Sequence, residues 1–533
     1  MSGTRVTASG ARSGAAAAAP PVAAGRRWRW SAVTVVIVVA TVIAAGLRLY
    51  QLSRPGYLLG ITEYDDGTDF GSAVRLVHGA LPYRDFIMVQ PPGITLIMAP
   101  VALVTRGLGT VTGMAVARVL TALASTAAVP LAGLLTRHRG LLAVVVSCGM
   151  LTVFPDSIMA ARTVLLEPWL VLFCMLGALA AFDGDRMTGG WRLFAGGALF
   201  GFAGAVKVWA VIPVAVILLL NVRQPRRAAV FAGGAAAGFL GPVLPFALTA
   251  PVTFYRSVFV AQLVRTDLTR IPLNYRLQNI LGLNHASQMA DSTLITISIV
   301  VLVVLAAITV IGSRLLHRPP PALDWFAFGT CLLVVAAFLW PVDFYYHYPG
   351  FLAPFLALTV ALPLSRLAAG LAAGERRTWA RLVQPGAAVL AGGVLLTLVG
   401  FQAASESNYA SAVLASEISA AQRMIPSGAC VVTDQVSYTL AINRFVSDVP
   451  GCSLMVDGVG TDYALSGKNG QNGAGSVPAL QAIWMSAFRH AQYVWLTTQA
   501  TRRIPFTHQL QAYLDTHFVP LTEGPDWLFV RKV

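Results

Sequence analysis

The sequence predicts an α-helical protein that crosses a membrane many times and ends in a small α/β domain. Of its 533 residues, 56% are hydrophobic and only 11% are charged, whereas charged residues make up about a quarter of a soluble domain. Several stretches of about 18 residues or more carry no charge, which is enough for a helix to span a bilayer. The formal net charge of +15 therefore indicates basic cytoplasmic loops, and no nucleic-acid partner is expected.

The arginine clusters determine the predicted number of crossings. Basic residues collect in cytoplasmic loops, so an even number of spans must separate consecutive clusters. The clusters are Arg137/Arg139, Arg186/Arg192, Arg223/Arg226/Arg227, Arg314/Arg318 and Arg376/Arg377/Arg381. This rule yields about eleven spans, with the N-terminus inside and the C-terminal tail outside. The spans are 31–50, 113–135, 140–157, 166–182, 193–206, 208–222, 228–248, 293–312, 323–340, 350–364 and 387–403.

The parts outside the spans follow from the same rule. Residues 1–25 are small and polar and are predicted to be a disordered cytoplasmic terminus. Residues 26–404 form the membrane module, with two long outer loops at 51–112 and 249–291. Residues 93–105 are predicted to be an interfacial helix on the outer face, since a further span would reverse the topology. Amphipathic stretches that could lie on the membrane surface are Gly71–His78 and Phe254–Leu268.

The first span and the tail carry signals of export. We expect the first span to remain as an anchor, although Ala44–Gly46 could imitate a signal-peptide cleavage site. Residues 405–533 have the composition of a soluble domain, with short apolar strands at 429–433 and 491–496 between helical patterns. This alternation is typical of an α/β domain with a partly parallel sheet. Cys430 and Cys452 could form a disulfide there if the tail is exported.

An acidic cluster follows the first span on the outer face. Asp65 and Asp66 lie side by side, with Glu63 and Asp69 close by. Such carboxylates can hold a divalent cation or supply a general base for a hydroxyl acceptor. The alternative is that they only cap the helix that begins near Gly67.

Other ionisable residues are predicted to lie on the same face. Arg162 and Glu167 come at the outer end of a span, Lys207 lies at the turn between two short spans, and Tyr346 and His347 precede the tenth span. Ionisable groups near membrane depth are usually functional. Taken one at a time, Arg162 and Lys207 could extend to the lipid headgroups, and the tyrosines could belong to an interfacial aromatic belt. Because all of these residues are predicted on the same membrane face, together they favour a site that holds an anionic phosphate beside a metal or a base.

The pattern resembles the GT-C glycosyltransferases, integral membrane enzymes that use polyprenyl-phosphate sugars. These enzymes include the protein mannosyltransferases and the lipid A aminoarabinose transferases. Their first outer loop carries an acidic pair and then a motif of the form G-x-P-Y-x-D-F…P-P. The corresponding residues here are Asp65-Asp66, Gly79-Ala80-Leu81-Pro82-Tyr83-Arg84-Asp85-Phe86 and Pro91-Pro92-Gly93. The resemblance covers roughly residues 30–400.

The resemblance implies roles for individual residues. Asp65 would be the general base on the acceptor hydroxyl, while Asp66 and Glu167 would position the acceptor or bind a divalent cation such as Mg²⁺ or Mn²⁺. The acidic pair of the family is often Asp-Glu, so the second side chain is shorter here. No organic cofactor is expected.

A second group of residues would bind the donor. By the same resemblance, Arg162, Lys207 and His347 would hold the lipid phosphate, and Tyr346 would belong to the substrate site. The sugar would move from the polyprenyl phosphate with inversion at the anomeric carbon. Cations opposite the carboxylates would stabilise the charge on the phosphate leaving group.

The expected function is a glycosyltransferase in the plasma (inner) membrane that acts on a cell-envelope glycan, glycolipid or protein hydroxyl. The scarcity of lysine in a chain rich in Ala, Gly and Val suggests an actinobacterial source. On that ground mannose is the first choice of sugar and arabinofuranose the second. Two other functions stay open: a transporter or flippase of lipid-linked sugars, and a non-catalytic envelope protein that binds glycans.

Overall fold

Helices dominate the structure, which is a computed structural model. It describes residues 31–264, 270–284, 286–373, 382–408, 410, 415–468, 473–498, 501, 503–521 and 527–532. The predicted disordered terminus at 1–25 lies outside the described residues.

Among the described residues up to 406, seventeen α-helices form the membrane module. They are α1 Ala32–Leu52, α2 Asp65–Val77, α3 Gly93–Ala102, α4 Thr105–Thr136, α5 Leu141–Val153, α6 Pro155–Ala161, α7 Leu166–Ala181, α8 Gly190–Val206, α9 Val211–Leu220, α10 Pro225–Ala247, α11 Pro251–Tyr255, α12 Ala261–Val264, α13 Leu273–Ile280, α14 Asp291–Leu315, α15 Ala322–Leu339, α16 Pro349–Ala373 and α17 Val383–Glu406. A short hairpin of β1 Phe182–Asp183 and β2 Arg186–Met187 lies between α7 and α8.

All of the predicted spans fall on helices, but their number is not confirmed. Within the described residues, seven helices are long and apolar enough to cross a membrane, namely α1, α4, α10, α14, α15, α16 and α17. The pair α5 and α6 could be an eighth span with a bend of 53°. The bend falls at Pro155, which cannot donate a backbone hydrogen bond and favours an extended residue before it. Helices α7 and α9 are apolar but shorter.

The tail folds into the predicted α/β domain. Its sheet has the order β3-β4-β6-β5, in which β3 and β4 are parallel and the other pairs are antiparallel. The elements are α18 Ala415–Met424, β3 Val431–Thr433, α19 Ser437–Ala441, α20 Gly458–Ser466, α21 Pro478–His490, β4 Tyr493–Trp495, α22 His508–His517, β5 Phe518–Pro520 and β6 Leu528–Arg531. Cys430 and Cys452 are joined by a disulfide, with their Cα atoms 5.6 Å apart.

The C-terminal domain packs directly on α2 in the outer loop. Phe445 and Val456 belong to the same buried apolar cluster as Phe70 of α2, and the guanidinium of Arg75 lies 4.1 Å from the ring centre of Phe445. The expectation that Gly71–His78 could lie on the membrane surface is therefore wrong. The apolar side of this helix is covered by protein.

The closest backbone approach in this contact is at Gly67. A Cβ atom at this position would lie 2.5 Å from the backbone nitrogen of Ser437 and 2.9 Å from its Cα. Real side chains do not approach a backbone so closely, so any larger residue would push α19 away from α2.

We predict that Gly67→Ala lowers the melting temperature of the purified protein, because overpacking of this kind costs about 1–3 kcal/mol. Gly107→Ala is the matched control, since nothing lies within 4 Å of a Cβ atom at that position. Thermal unfolding of both variants in detergent measures the difference. Equal melting temperatures for the two variants would show that the contact between α2 and α19 is loose.

Candidate active site

A narrow cavity lies where α2 meets the starts of α7 and α16 and the C-terminal end of α8. Its volume is about 50 Å³, and α20 of the C-terminal domain forms one wall. The ionisable side chains that line it are Asp65, Asp69, Glu167, Lys207, His347 and Asp457. Four of these six residues were predicted as site residues from the sequence.

Glu167 is the centre of an ion-pair network on the cavity wall. Its Oε1 accepts a hydrogen bond of 2.6 Å from Lys207 Nζ, and its Oε2 lies 2.9 Å from Nδ1 of His347. The other ring nitrogen of His347, Nε2, lies 3.8 Å from Asp65 Oδ2. Glu167 and Lys207 are almost completely buried, whereas the side chain of Asp65 is 51% exposed. The network therefore ends in a carboxylate that reaches the cavity.

A break between helices places Lys207 in this network. Helix α8 ends at Val206, and Lys207 has an extended backbone. Its ammonium lies 3.8 Å from the ring centre of Trp209 and 4.5 Å from that of Tyr348. Two aromatic faces and one carboxylate thus stabilise a cation at a buried position.

The G-x-P-Y-x-D-F…P-P motif of the first outer loop supports the cavity wall near Lys207. The hydroxyl of Tyr83 donates a hydrogen bond of 2.6 Å to the carbonyl of Gln90, which lines the cavity. Gly93 begins α3, where a Cβ atom would lie only 2.7 Å from the backbone nitrogen of Val206. The glycine after the two prolines therefore allows α3 to pack against the end of α8, next to Lys207.

The structure separates the two members of the acidic pair. Asp66 is fully buried and does not line the cavity. Its Oδ2 accepts hydrogen bonds from Arg118 at 2.6 Å and from Thr62 at 2.9 Å, and its Oδ1 accepts one of 2.9 Å from Ser437. The helix-cap interpretation is wrong, because the N-cap residue of α2 is Tyr64 and no side chain caps the helix start. Asp65 instead faces the cavity, and Asp66 pairs with Arg118 in the interior.

Arg162 and Tyr346 lie together beside the cavity without lining it. The guanidinium of Arg162 donates to Glu63 at 2.6 Å and to the hydroxyl of Tyr346 at 3.2 Å. Tyr346 donates in turn to Glu63 at 2.5 Å. The structure thus places these two predicted donor-binding residues in a cluster of their own.

The predicted metal ligands do not fit a metal site. The oxygens of Asp66 are engaged by Arg118 and by hydroxyl groups, and Glu167 is engaged by Lys207 and His347. Among the residues that the structure describes, no group of three or more His, Cys, Asp or Glu side chains is arranged to hold a metal ion. Both predicted ligands are thus engaged by other protein groups in this structure.

Asp69 and Asp457 also line the cavity, although neither was predicted as a site residue. Asp69 follows Asp65 by one helical turn of α2, so the spacing of four residues was a usable signal. Its burial raises the pKa of Asp69 well above the usual value, and the nearby carboxylates of Asp65 and Glu167 raise it further. Asp457 accepts a hydrogen bond of 2.9 Å from the hydroxyl of Tyr64. Nothing local in the sequence indicates this contact.

Comparisons with known proteins agree with the geometry. The family model of dolichyl-phosphate-mannose-protein mannosyltransferases matches residues 105–226, and no curated protein matches the chain. The structure of ArnT from Cupriavidus metallidurans bound to undecaprenyl phosphate is similar over 93% of this chain and 97% of that chain, with a TM-score of 0.57 and 14% identity. An oligosaccharyltransferase from Archaeoglobus fulgidus, tethered with an acceptor peptide, is similar over 88% of this chain and 69% of that one, with a TM-score of 0.52 and 14% identity.

These matches confirm the predicted resemblance. The chain has the fold of the GT-C superfamily of integral membrane glycosyltransferases. At 14% identity the solved structures show the fold alone.

We predict that Asp66→Asn destabilises the protein, because it leaves the buried Arg118 without its charge partner. Breaking a buried ion pair in this way costs about 3–5 kcal/mol. The neighbouring Asp65→Asn is the matched control and should melt within a few degrees of the wild type, since the Asp65 side chain is half exposed. An equal decrease in melting temperature for Asp66→Asn and Asp65→Asn would contradict the assignment of the structural ion pair to Asp66 alone.

A pH-dependent prediction concerns Asp462, which lies on α20 behind the cavity wall. The residue is 1% exposed and accepts a hydrogen bond of 3.4 Å from Trp484. Burial raises the pKa of Asp462 to about 8, and the negative charge of Asp457 contributes to the shift. The folded protein therefore holds a proton that the unfolded chain releases near pH 4.

The stabilisation from this proton is complete below about pH 4 and is lost as the pH rises towards 8. We expect Asp462→Asn to remove this part of the pH dependence and to melt higher than the wild type at pH 9. Asp515→Asn, on the exposed face of α22, should leave the profile unchanged. Parallel profiles of the wild type and Asp462→Asn between pH 4 and 9 would refute the assignment.

Proposed function

We propose that the protein is an inverting glycosyltransferase that moves a sugar from a polyprenyl phosphate to a hydroxyl acceptor. One observation carries the proposal: Asp65, alone of the acidic pair, reaches a cavity that also contains a lysine and a histidine. The fold supports the same class of reaction, because the similar structures and the matching family model are those of membrane glycosyltransferases.

In the proposed reaction Asp65 is the general base. The proton of the acceptor hydroxyl passes to the Asp65 carboxylate while the acceptor oxygen bonds to the anomeric carbon. The bond from that carbon to the phosphate oxygen breaks, and its electron pair leaves with the phosphate. A single displacement of this kind inverts the configuration. Asp65 suits the role because its ion-pair contact with His347 is long, at 3.8 Å, which leaves the carboxylate available to accept a proton.

Lys207 and His347 are the proposed partners of the leaving phosphate. One of the three ammonium hydrogens of Lys207 is used by Glu167, so the others can turn towards a phosphate. Glu167 would then act as a positioning residue that fixes both cations. We assign Arg162 and Tyr346, which lie beside the cavity, to its rim, where they would contact the donor outside the reacting atoms.

The charge of the cavity supports an uncharged acceptor. Lys207 and His347 are assigned to the donor phosphate, so an anionic acceptor would face the remaining lining carboxylates and be repelled. A sugar, lipid or protein hydroxyl would find several hydrogen-bond acceptors, and the raised pKa of Asp69 favours a protonated side chain that can donate a hydrogen bond.

The C-terminal domain is proposed to control access. Binding sites for small molecules usually enclose about 300–1,000 Å³, and the cavity holds only about 50 Å³ in this structure. A sugar could therefore bind only after a wall moves. The wall formed by Asp457 and α20 is the candidate, because it belongs to a separate domain.

Mannose is the first proposed sugar and arabinofuranose the second, both on the composition of the chain.

We place the cavity on the outer face of the plasma membrane, with the C-terminal domain outside and the N-terminus in the cytoplasm. This orientation is supported by the basic residues Arg139, Arg186 and Arg318, which lie together at the other end of the helices.

We predict that Asp65→Asn lowers the rate of sugar transfer at least about 100-fold, the usual contribution of a general base, with little change in melting temperature. The assay would offer polyprenyl-phosphate mannose and polyprenyl-phosphate arabinofuranose separately, with a cell-envelope lipid extract as acceptor. The anomeric configuration of the product is read by NMR.

Asp183→Asn is the control, because that carboxylate is 81% exposed and lies in the β1–β2 hairpin, away from the cavity. It should transfer at the wild-type rate. Wild-type activity in Asp65→Asn, or a product that retains the configuration of the donor, would overturn the mechanism. Wild-type protein that moves the donor between leaflets without cleaving it would favour the flippase.

A further inference from the structure

A basic cavity lies at the end of the membrane helices opposite to the active-site cavity. It has a volume of about 750 Å³ and lies between the loop after α4, the β1–β2 hairpin and the neighbouring ends of α14, α16 and α17. The charged side chains that line it are Arg139, Arg186, Arg318, Arg366 and Asp185. The proposed transferase reaction uses none of these residues.

The position along α16 shows that the two cavities face different membrane surfaces. Helix α16 begins at Pro349, next to His347 of the active site, and Arg366 follows about 26 Å further along at helical rise. The hydrocarbon core of a bilayer is about 30 Å thick. The basic cavity therefore lies at the level of the lipid headgroups in the opposite leaflet.

The inner part of the cavity is held by buried ion pairs. Arg139 lies 2.6 Å from both Asp185 and Asp324, and Asp324 also lies 3.9 Å from Arg366. Arg366 is only 7% exposed. Its Nη2 donates a hydrogen bond of 2.7 Å to the carbonyl of Arg318, whereas its Nε has, within the part of the chain that the structure describes, no hydrogen bond besides the long contact with Asp324. A buried donor without a partner is costly and calls for an acceptor.

The outer part of the cavity carries an excess of positive charge. Arg186 and Arg318 are exposed, and their side chains form no hydrogen bond or ion pair with other described residues. Among the described residues, Asp185 and Asp324 are the carboxylates paired with the four arginines, which leaves an excess of two positive charges in this part of the structure. Guanidinium groups match the oxygens of a phosphate in charge and geometry.

An apolar groove adjoins the basic cavity and decides between a lipid and a free phosphate. The groove holds about 210 Å³ and runs between α14, α15 and α16. Pro320 lines the groove, while Pro319 and Pro321 line the basic cavity. From there the groove extends along α14 to Leu305, towards the middle of the bilayer. Asp324 lines the groove at the same end. A charged cavity beside a largely apolar groove matches a headgroup with an acyl chain.

We propose that the basic cavity binds the phosphate headgroup of an anionic phospholipid, with one acyl chain in the adjoining groove. The lipid would come from the leaflet that faces away from the active site. Its phosphate would be held by the excess positive charge of Arg186 and Arg318, and the lipid would tie the ends of α14 and α16 together. This proposal is independent of the transferase reaction.

The test compares lipid retention by the full chain in mixed micelles of phosphatidylglycerol and phosphatidylcholine, measured by native mass spectrometry. The wild type should retain phosphatidylglycerol selectively. Arg186→Gln combined with Arg318→Gln should lower that retention about tenfold, as expected for the loss of charge-assisted hydrogen bonds. Ala306→Trp, which fills the groove, should lower it without any change of charge.

Arg226→Gln combined with Arg227→Gln is the matched control, since it removes the same charge from the exposed start of α10, outside the cavity. It should retain phosphatidylglycerol like the wild type. An equal loss in this control would show a general electrostatic effect and overturn the site. Unchanged retention in Ala306→Trp, together with displacement of the lipid by inorganic phosphate, would refute a lipid ligand.

Discussion

The buried carboxylate of Asp66 is the interaction on which the arrangement of the outer loop depends. It compensates the charge of Arg118 from α4 and accepts a hydrogen bond from Ser437 of the C-terminal domain. Loss of either partner would destabilise the fold strongly, because the other ion would stay buried and uncompensated at low dielectric. This single carboxylate therefore connects the membrane helices, α2 and the C-terminal domain.

The second constraint is the cost of placing charges at the edge of the membrane. Glu167 lies between Lys207 and His347, so each charge has a partner of opposite sign when the imidazole is protonated. The irregular backbone at Lys207 is tolerated because it lines a cavity inside the protein, where polar groups can be satisfied. The same physics operates at the other membrane surface, where Asp324 compensates Arg139 and Arg366. Each end of the helical bundle is thus organised around a buried acid with basic neighbours.

Much of the fold could be predicted because its signals are local. Long apolar runs mark the helices, and arginine clusters mark one end of them, so every predicted span falls on a helix. The number of spans was harder to predict, because helices α7 and α9 are so short that their length does not show whether they cross the membrane. Gly71–His78 was misjudged for a different reason: an amphipathic helix shows that one face is covered, and the pattern does not say whether lipid or protein covers it.

For the site, the sequence by itself predicted which ionisable residues share one membrane face, because the predicted topology is read from charge and hydropathy along the chain. It brought Asp65, Glu167, Lys207 and His347 into one candidate set. Only the tertiary structure decided that Asp66 turns away from the cavity and that Asp457 closes it. Those outcomes depend on contacts between α2 and a domain that follows more than 300 residues later in the chain, and no local pattern encodes a partner at that distance.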